Sequence, residues 1–490
     1  MLAALIFTCL QLPALVIQGG TIVDGSGHAP FKADVRIVGD TIRAIGPHVA
    51  RQGDQVIDAT GLFVSPGFID CHSHADGGID KDPDAETHIR QGITTSMVGE
   101  DGGSAKSIAG FFDQLRRIPS SMNFGSFAGE GTVRQLVMGM QTRKPTSEEM
   151  HKMEAWVDDQ MKAGAMGLST GLEYEPNRYA DTDEVIDLAK VAAKDHGIYI
   201  SHVRNEDVNA FKSFRELVKI ATDAHMPGEI NHIKLACASV WHKAPDVVTM
   251  MKEAAVHGVD ITADVYPYLF WQSTIRVLIT TEQWDDRKQW EEGLAQIGGA
   301  QNVRLTSFSP DPSWAGHSIQ ELAEQQGKDP ISVIQDVVNR CYRNGNHGEE
   351  SVAVTAMSED DLKTFIGCPK IMFCSDGPLH GSHPRCAGSF PRVLGKYVRE
   401  EQVIPLTEAI RKMTSMAAWR FGLKDRGLIK KGYKADVVLF DPATVADTAT
   451  IEHPEAAPIG IPTVIVNGGI VMKDGVMTHV HTGRPLIHRS

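Results

Sequence analysis

Residues 67–76 read GFIDCHSHAD and place His72 and His74 two positions apart at the end of an apolar run. On a β-strand, positions i and i+2 face the same way, so two such imidazoles can converge on one cation. Two half-exposed histidines of no consequence would give the same letters. The pair gains weight from what ends the other apolar runs. Glu100 and Asp101 follow ITTSMVG, His202 ends IYISH, His232 lies in EINHIKLA, and Asp376 ends KIMFCSD. Three or four imidazoles with two or three carboxylates, and no paired thiolates, form a donor set suited to zinc, with iron, manganese or cobalt as alternatives. Singly, His202 and His232 fit core histidines, Asp376 a turn before Gly-Pro, and Asp101 an Asp-Gly turn. Their shared place at the same end of successive strands is what makes them a candidate site.

Such residues meet only if the strands bring them to one rim. Apolar strand candidates lie at 67–74, 93–100, 123–129, 165–170, 198–203, 229–236, 260–268 and 370–376. Eight is the number that closes a β/α barrel, whose strand C-terminal ends converge on one mouth. The stretches between them carry helix signals. PTSEEMHKMEAWVDDQMKAG sets Thr146 and Glu149 as a capping box, Met150, Met153 and Val157 on one face, and Gly164 as a stop. TDEVIDLAKVAAKDHG and APDVVTMMKEAAVHG end at Gly197 and Gly258, each just before a strand. About a hundred residues separate the last two strands, far beyond an ordinary loop. This insert, about 270–355, contains helix-like SIQELAEQQG and ISVIQDVVNRCYRNG and is expected to form a lid or wall over the pocket. Short period-2 strands with Gly/Asp turns fill both ends of the chain. The expected fold is therefore α/β: a (β/α)8 TIM barrel over 66–423, with a small β-sandwich domain built from 14–65 plus 424–485.

The bulk properties narrow the function. The chain has 490 residues, 42% hydrophobic and 22% charged, with a formal charge of −14. That balance argues against a nucleic-acid partner and for solubility, but it does not choose a substrate. The seven cysteines are scattered, with neither a disulfide framework nor a C-x-x-C zinc motif. MLAALIFTCLQLPALVI has a signal-like apolar core but no Lys or Arg before it, and Gln11 and Pro13 interrupt it. No stable membrane span is expected. A cytoplasmic protein is the first expectation and export the alternative. There is no G-x-S-x-G elbow for a serine nucleophile and no Walker spacing.

GFIDCHSHAD, GITTSMVGEDGGS, GLSTGLEYEP, ISHVRNE, NHIKLA, DVYPY and SDGPLHGSHPRCAGSFPRVLGKY together resemble the amidohydrolase superfamily, and within it the N-acyl-D-amino-acid deacylases, or D-aminoacylases, from about Leu15 to Met477. The resemblance implies the barrel with its flanking β domain, one or two Zn2+ ions, and an N-acyl amino acid as substrate. It implies His72, His74, His202, His232 and Asp376 as metal ligands. Many relatives carry Gly-Asn-Cys after strand two, with the cysteine as a ligand; this chain has Gly99-Glu100-Asp101, leaving Glu100 and Asp101 as alternatives and one or two ions open. A hard carboxylate in place of a thiolate shifts metal preference. AMGLST carries no lysine, so a bridging ligand would come from strand two. Zinc on His202, His232 and that carboxylate would lower a water pKa toward roughly 7, and Asp376 would move the proton to the leaving amine. The substrate's one α-carboxylate calls for cations. Lys234, two after His232, together with Arg385, Tyr266 and Tyr174, are the contacts the resemblance implies. Another amidohydrolase, acting on dipeptides or cyclic amides, and a non-catalytic binding barrel are the alternatives.

Overall fold

The computed structural model describes residues 14–279, 283–343 and 347–488. Eight parallel strands form its centre: β1 (Phe68–Asp70), β2 (Ile93–Val98), β3 (Asn123–Ser126, continued by Ala128–Gly129), β4 (Gly167–Gly171), β5 (Ile198–His202), β6 (Gly228–Ile230), β7 (Ile261–Val265) and β8 (Ile371–Phe373). Each pairs with the next in parallel register. The ring closes just past the ends of β1 and β8, where Ser73 bridges Gly377, His74 N donates to Gly377 O at 3.0 Å and Asp376 N donates to His72 O at 2.9 Å. The closing seam thus runs through three of the candidate ligands. Every position in these strands is buried, as parallel strands covered by helices on their outer face require.

The helices form where the signals lie. Ser147–Ala163 starts at a complete capping box, with Thr146 Oγ1 accepting from Glu149 N at 3.3 Å and Glu149 Oε2 accepting from Thr146 N at 2.7 Å. It stops at Gly164, whose φ of 106° an L side chain would resist. Thr182–Ala193 and Ala244–Val256 follow likewise, their apolar residues buried against the barrel in one continuous core.

Both chain ends share a seven-stranded sheet, in which Val437–Phe440 lies antiparallel to Phe63–Pro66. A four-stranded sheet holds Leu15–Gln18 and its neighbours. Ile17, Ile37, Ile42, Val64, Val437 and Ile465 fill the space between the sheets, which makes a sandwich. Most of the N-terminal apolar run, residues 1–13, lies outside the described residues. Among the described residues no helix is long and apolar enough to cross a membrane. The six described cysteines are buried and free.

The insert departs from a simple helical lid. Its helices are present, at Arg287–Gln296, Ile319–Gln326 and Pro330–Tyr342. They pack on an antiparallel sheet of Phe270–Ser273, Glu350–Thr355 and Val303–Phe308. Trp290, Leu305, Ile334, Val337 and Val352 give it a core of its own. VRLTSF and ESVAVT hold too few residues for period 2 to stand out against the helical stretches around them.

Candidate active site

The barrel strands end earlier than the sequence pattern suggests, and the functional side chains stand just beyond them. β6 stops at Ile230, so Lys234 does not share a strand face with His232; the chain turns at His232, whose φ is 32°. Asp264, from β7, shapes that turn: its Oδ1 accepts from His232 N at 2.8 Å and its Oδ2 from Asn231 Nδ2 at 3.1 Å. Asp101 and Asp376 also hold the left-handed region, at φ 53° and 50°. Such conformations are costly for a non-glycine residue and persist where the surroundings over-determine them. At the seam Asp70 holds Ser375, accepting from its N at 2.8 Å and its Oγ at 2.5 Å, which fixes the chain next to Asp376.

Two donor groups share Asp101, and a third, Glu173 with His202 and Glu206, lies on the other side of His202. In the first, His72 Nε2 and His74 Nε2 stand 3.4 Å apart; His72 Nε2 lies 3.6 Å from Asp101 Oδ1 and 3.5 Å from Asp376 Oδ1; His74 Nε2 lies 3.4 Å from Asp101 Oδ2 and 3.3 Å from Asp376 Oδ1. Donors ~2.1 Å from a tetrahedral ion stand roughly 3.4 Å from each other, so these edges fit zinc. In the second, His202 Nδ1 is 2.9 Å from His232 Nε2, with Asp101 Oδ1 at 3.8 and 3.6 Å from them. Asp101 belongs to both groups. Its Oδ1 is buried with no hydrogen-bond partner, an expensive state that a cation would relieve.

Glu100 is placed apart from both groups. Its Oε2 lies 3.8 Å from the far nitrogen of His72, Nδ1, and both its oxygens are buried and unpartnered. Burial pushes its carboxyl well above the usual range, assisted by Asp264 and Asp101. Asp101, in left-handed backbone, lines the cavity with its own side chain, whereas Glu100 lies buried near Asp264, Glu229 and Asp70.

The charge around the donors is strongly negative. Burial opposes a proton on His74, yet Asp101 and Asp376 outweigh it and push the imidazole up to about 10. His232 also reaches about 10, burial and Lys234 being overcome by Glu206 and Asp376. Burial would raise the Asp376 carboxyl, but Arg385 and the histidines hold it far below the ordinary carboxylate range. A divalent cation satisfies the same negative charge and displaces the imidazole protons.

The other sequence-marked residues line the same cavity of about 280 Å³. Arg385 Nη1 donates to Asp376 Oδ2 at 2.6 Å, and its guanidinium stacks 4.9 Å from the Tyr266 ring centre. Tyr266 is buried, its hydroxyl unpartnered and pushed up to about 12 by burial. Lys234 Nζ lies 2.7 Å from His232 Nδ1. Tyr174, 47% exposed, brings its hydroxyl 3.3 Å from His202 Nδ1.

Sequence reasoning missed the residues behind the candidate ligands. Glu206 Oε1 accepts from Lys234 Nζ at 2.6 Å and lies 3.1 Å from His232 Nδ1; Glu173 Oε2 lies 2.8 Å from His202 Nε2. Each occupies the ring nitrogen that faces away from Asp101, the partner that orients a metal-binding imidazole. Glu206 follows His202 by four in HVRNE and Glu173 opens EYEP, but a carboxylate in a loop gives no period to read. The insert supplies Trp271, Gln272, Val277, Leu278 and Ile297 to the opposite wall.

Residues 55–472 match the sequence profile described as amidohydrolase family. The chain is 33% identical to D-aminoacylase of Alcaligenes xylosoxydans xylosoxydans over 500 residues, 96% of this chain and 97% of that one. A crystal structure of D-aminoacylase superposes with a TM-score of 0.83 at 31% identity, covering 97% and 99% of the two chains. N-acyl-D-glutamate deacylase from Bordetella bronchiseptica, solved with zinc and a phosphonate mimic of the tetrahedral intermediate, gives 0.82 at 30% identity, covering 96% and 99%. The chain belongs to the amidohydrolase family.

Proposed function

We propose that this chain is a zinc-dependent deacylase that hydrolyses the amide bond of N-acyl-D-amino acids, giving a carboxylate and a free D-amino acid. The observation that carries the reading is Asp101, whose carboxylate, with its Oδ1 buried and unpartnered, joins two sets of imidazole donors, the first of them at zinc spacing. The names of its relatives support the D configuration. His72, His74, Asp101 and Asp376 would hold one ion, and His202 and His232 with Asp101 a second; Glu100 is left out of both sets. The second group has only three protein donors, the pattern of catalytic zinc, which keeps a position open. A bound ion supplies Lewis acidity at the scissile carbonyl and water that ionises at roughly neutral pH.

The protein's own groups do the rest. Asp376 stays ionised, held so against burial by Arg385 and the histidines, and takes the proton that passes to the leaving nitrogen. Lys234 and Arg385 grip the α-carboxylate, and an arginine fork suits that planar group. The free hydroxyl of Tyr266 is a donor available to the developing oxyanion. Tyr174 covers His202 at the mouth. Residues 66–423 carry the chemistry, while 14–65 and 424–485 buttress the barrel. The six described cysteines are free, which suits a reducing, cytoplasmic setting.

Zinc-loaded protein assayed on matched N-acetyl D- and L-amino acids tests the reading. Hydrolysis of D substrates in preference to L is expected. No hydrolysis of either, or a preference for L, overturns it.

A further inference from the structure

Each candidate imidazole offers one ring nitrogen to the donor groups and turns the other toward its surroundings. Glu206 stands at the outward nitrogen of His232, and Glu173 at that of His202. The His74 side chain is 37% exposed, so solvent can serve its far side. His72 differs from all three. Its Nε2 faces His74, Asp101 and Asp376, while its Nδ1 is buried with no hydrogen-bond partner. Beside that nitrogen stands Glu100, a residue in neither group that shares Asp101. Its Oε2 is 3.8 Å away, and both its oxygens are buried and unpartnered too. The backbone holds Glu100 there from both sides: Ser169 Oγ donates to Gly99 O at 2.5 Å, and Gly103 N donates to Glu100 O at 2.9 Å. A Cβ at Gly99 would stand 2.7 Å from Phe127 O, so the chain before the turn is close-packed as well.

We infer that Glu100 is the positioning residue of His72: it accepts the Nδ1 proton when Nε2 carries a metal ion, and so sets the affinity of the group made by His72, His74, Asp101 and Asp376. The inference rests on the metal centre of the deacylase reading and not on its substrate. An ion on Nε2 leaves the ring proton on Nδ1, and the partner of that proton fixes the tautomer and the ring orientation. Left without an acceptor, a buried N–H costs free energy that is charged against metal binding. Glu100 removes that cost. The present separation exceeds hydrogen-bond length by roughly 0.6–1 Å, which a small change in the Glu100 side-chain torsions covers. A carboxyl oxygen accepts whether or not its twin holds a proton, so the contact does not depend on the charge of Glu100. The same contact gives a buried, unpartnered carboxyl its partner, which offsets the expense of keeping one in the barrel.

Chelator-competition titration of zinc on the full chain tests this with two variants. Glu100→Met keeps the volume and removes the acceptor; Glu100→Gln keeps a neutral acceptor. In Glu100→Met one zinc-binding step should weaken by ~10–100-fold, and Glu100→Gln should restore that step to within ~5-fold of wild type. Glu206→Gln, which alters the far side of His232, is the comparator and should weaken the other step. Metal-free Glu100→Met should melt no lower than wild type, because a buried carboxyl without partners has been removed. Unchanged zinc affinity in Glu100→Met overturns the inference. So does an equal loss in Glu100→Gln, or weakening of the same step by Glu100→Met and Glu206→Gln, since the effect would then run through Asp101. A metal-free melting point more than ~5 °C below wild type would make Glu100 a packing group and overturn it as well. Wild type that binds no zinc removes the metal centre and this inference together. Zinc binding without hydrolysis of any N-acyl amino acid would remove the substrate reading and leave this inference standing.

Discussion

The barrel rim and the insert face each other across one cavity, yet they are built on opposite terms. On the rim, His72, His202, His232, Lys234 and Asp376 are buried, three of the donors sit in left-handed backbone, and Asp101 Oδ1 has no hydrogen-bond partner. The insert has an ordinary apolar core, an antiparallel sheet, and an uncharged face toward the cavity. Across this cavity, left-handed non-glycine backbone falls on the rim and not on the insert face. If this division is real, rim substitutions should change turnover and metal affinity, and insert substitutions should change substrate preference alone.

The most severe break should come from Asp376→Asn. The amide keeps the shape and one oxygen donor but cannot accept the transferred proton. A loss in kcat of ~10^3–10^4 is expected, while most of the metal stays bound, because His72, His74 and Asp101 remain. Steady-state kinetics with metal analysis of the same sample decides it. Activity within tenfold of wild type would remove Asp376 from the proton's path.

The next effect is pH dependence of metal affinity. His74 and His232 each titrate at about 10 while their lone pairs are free of metal, so both carry protons at neutral pH. A metal ion must displace them. Affinity should therefore weaken as pH falls and strengthen as pH rises toward 10, by up to ~100-fold per pH unit for two protons released. Chelator competition over roughly pH 6 to 8 measures the slope. The carboxylates do not contribute in that window, because Asp101 and Asp376 are held below the ordinary range. A flat profile would mean that the imidazoles are not the donors.

How much of this was legible in the sequence follows the same division. The eight strands, the capped helices between them and the shared β domain left periodic or capping signals, and His72, His74, His202, His232 and Asp376 stood at the ends of apolar runs. The choice between Glu100 and Asp101 was not legible, because it depends on a left-handed turn at Asp101 that Glu-Asp-Gly permits without dictating. Glu206, Glu173 and Asp264 were passed over for another reason: each earns its place through a partner about 30 positions away in the chain, at His232, His202 and His232 respectively. The insert's sheet was hidden because its strands pair across 42 or more residues, from Phe308 to Glu350 at the nearest and from Phe270 to Thr355 at the farthest.

Glu206→Gln probes the boundary between the two walls from the rim side. The carboxylate holds Lys234 at 2.6 Å and stands 3.1 Å from His232 Nδ1; the amide keeps the size and loses the charge. Metal affinity or activity should fall by ~10–100-fold, and KM should rise more for N-acyl amino acids than for their α-amides, since the amides make no demand on Lys234. Equal losses on both substrate types would reduce Glu206 to a structural group.

The smallest effect expected is at the insert. Gly293, on the helix Arg287–Gln296, lies so close to Leu278 that an added Cβ would collide with the Leu278 carbonyl oxygen. Leu278 is part of the cavity wall, so Gly293→Ala must push that wall or the helix aside, at ~1–3 kcal/mol of insert stability. KM for large apolar side chains should shift several-fold, while metal content and kcat for the smallest substrate, N-acetyl-D-alanine, stay as in wild type. A substrate of that size does not reach the displaced wall. If metal content fell with Gly293→Ala, the insert would be mechanically tied to the rim, and the separation of chemistry from selectivity would have to be given up.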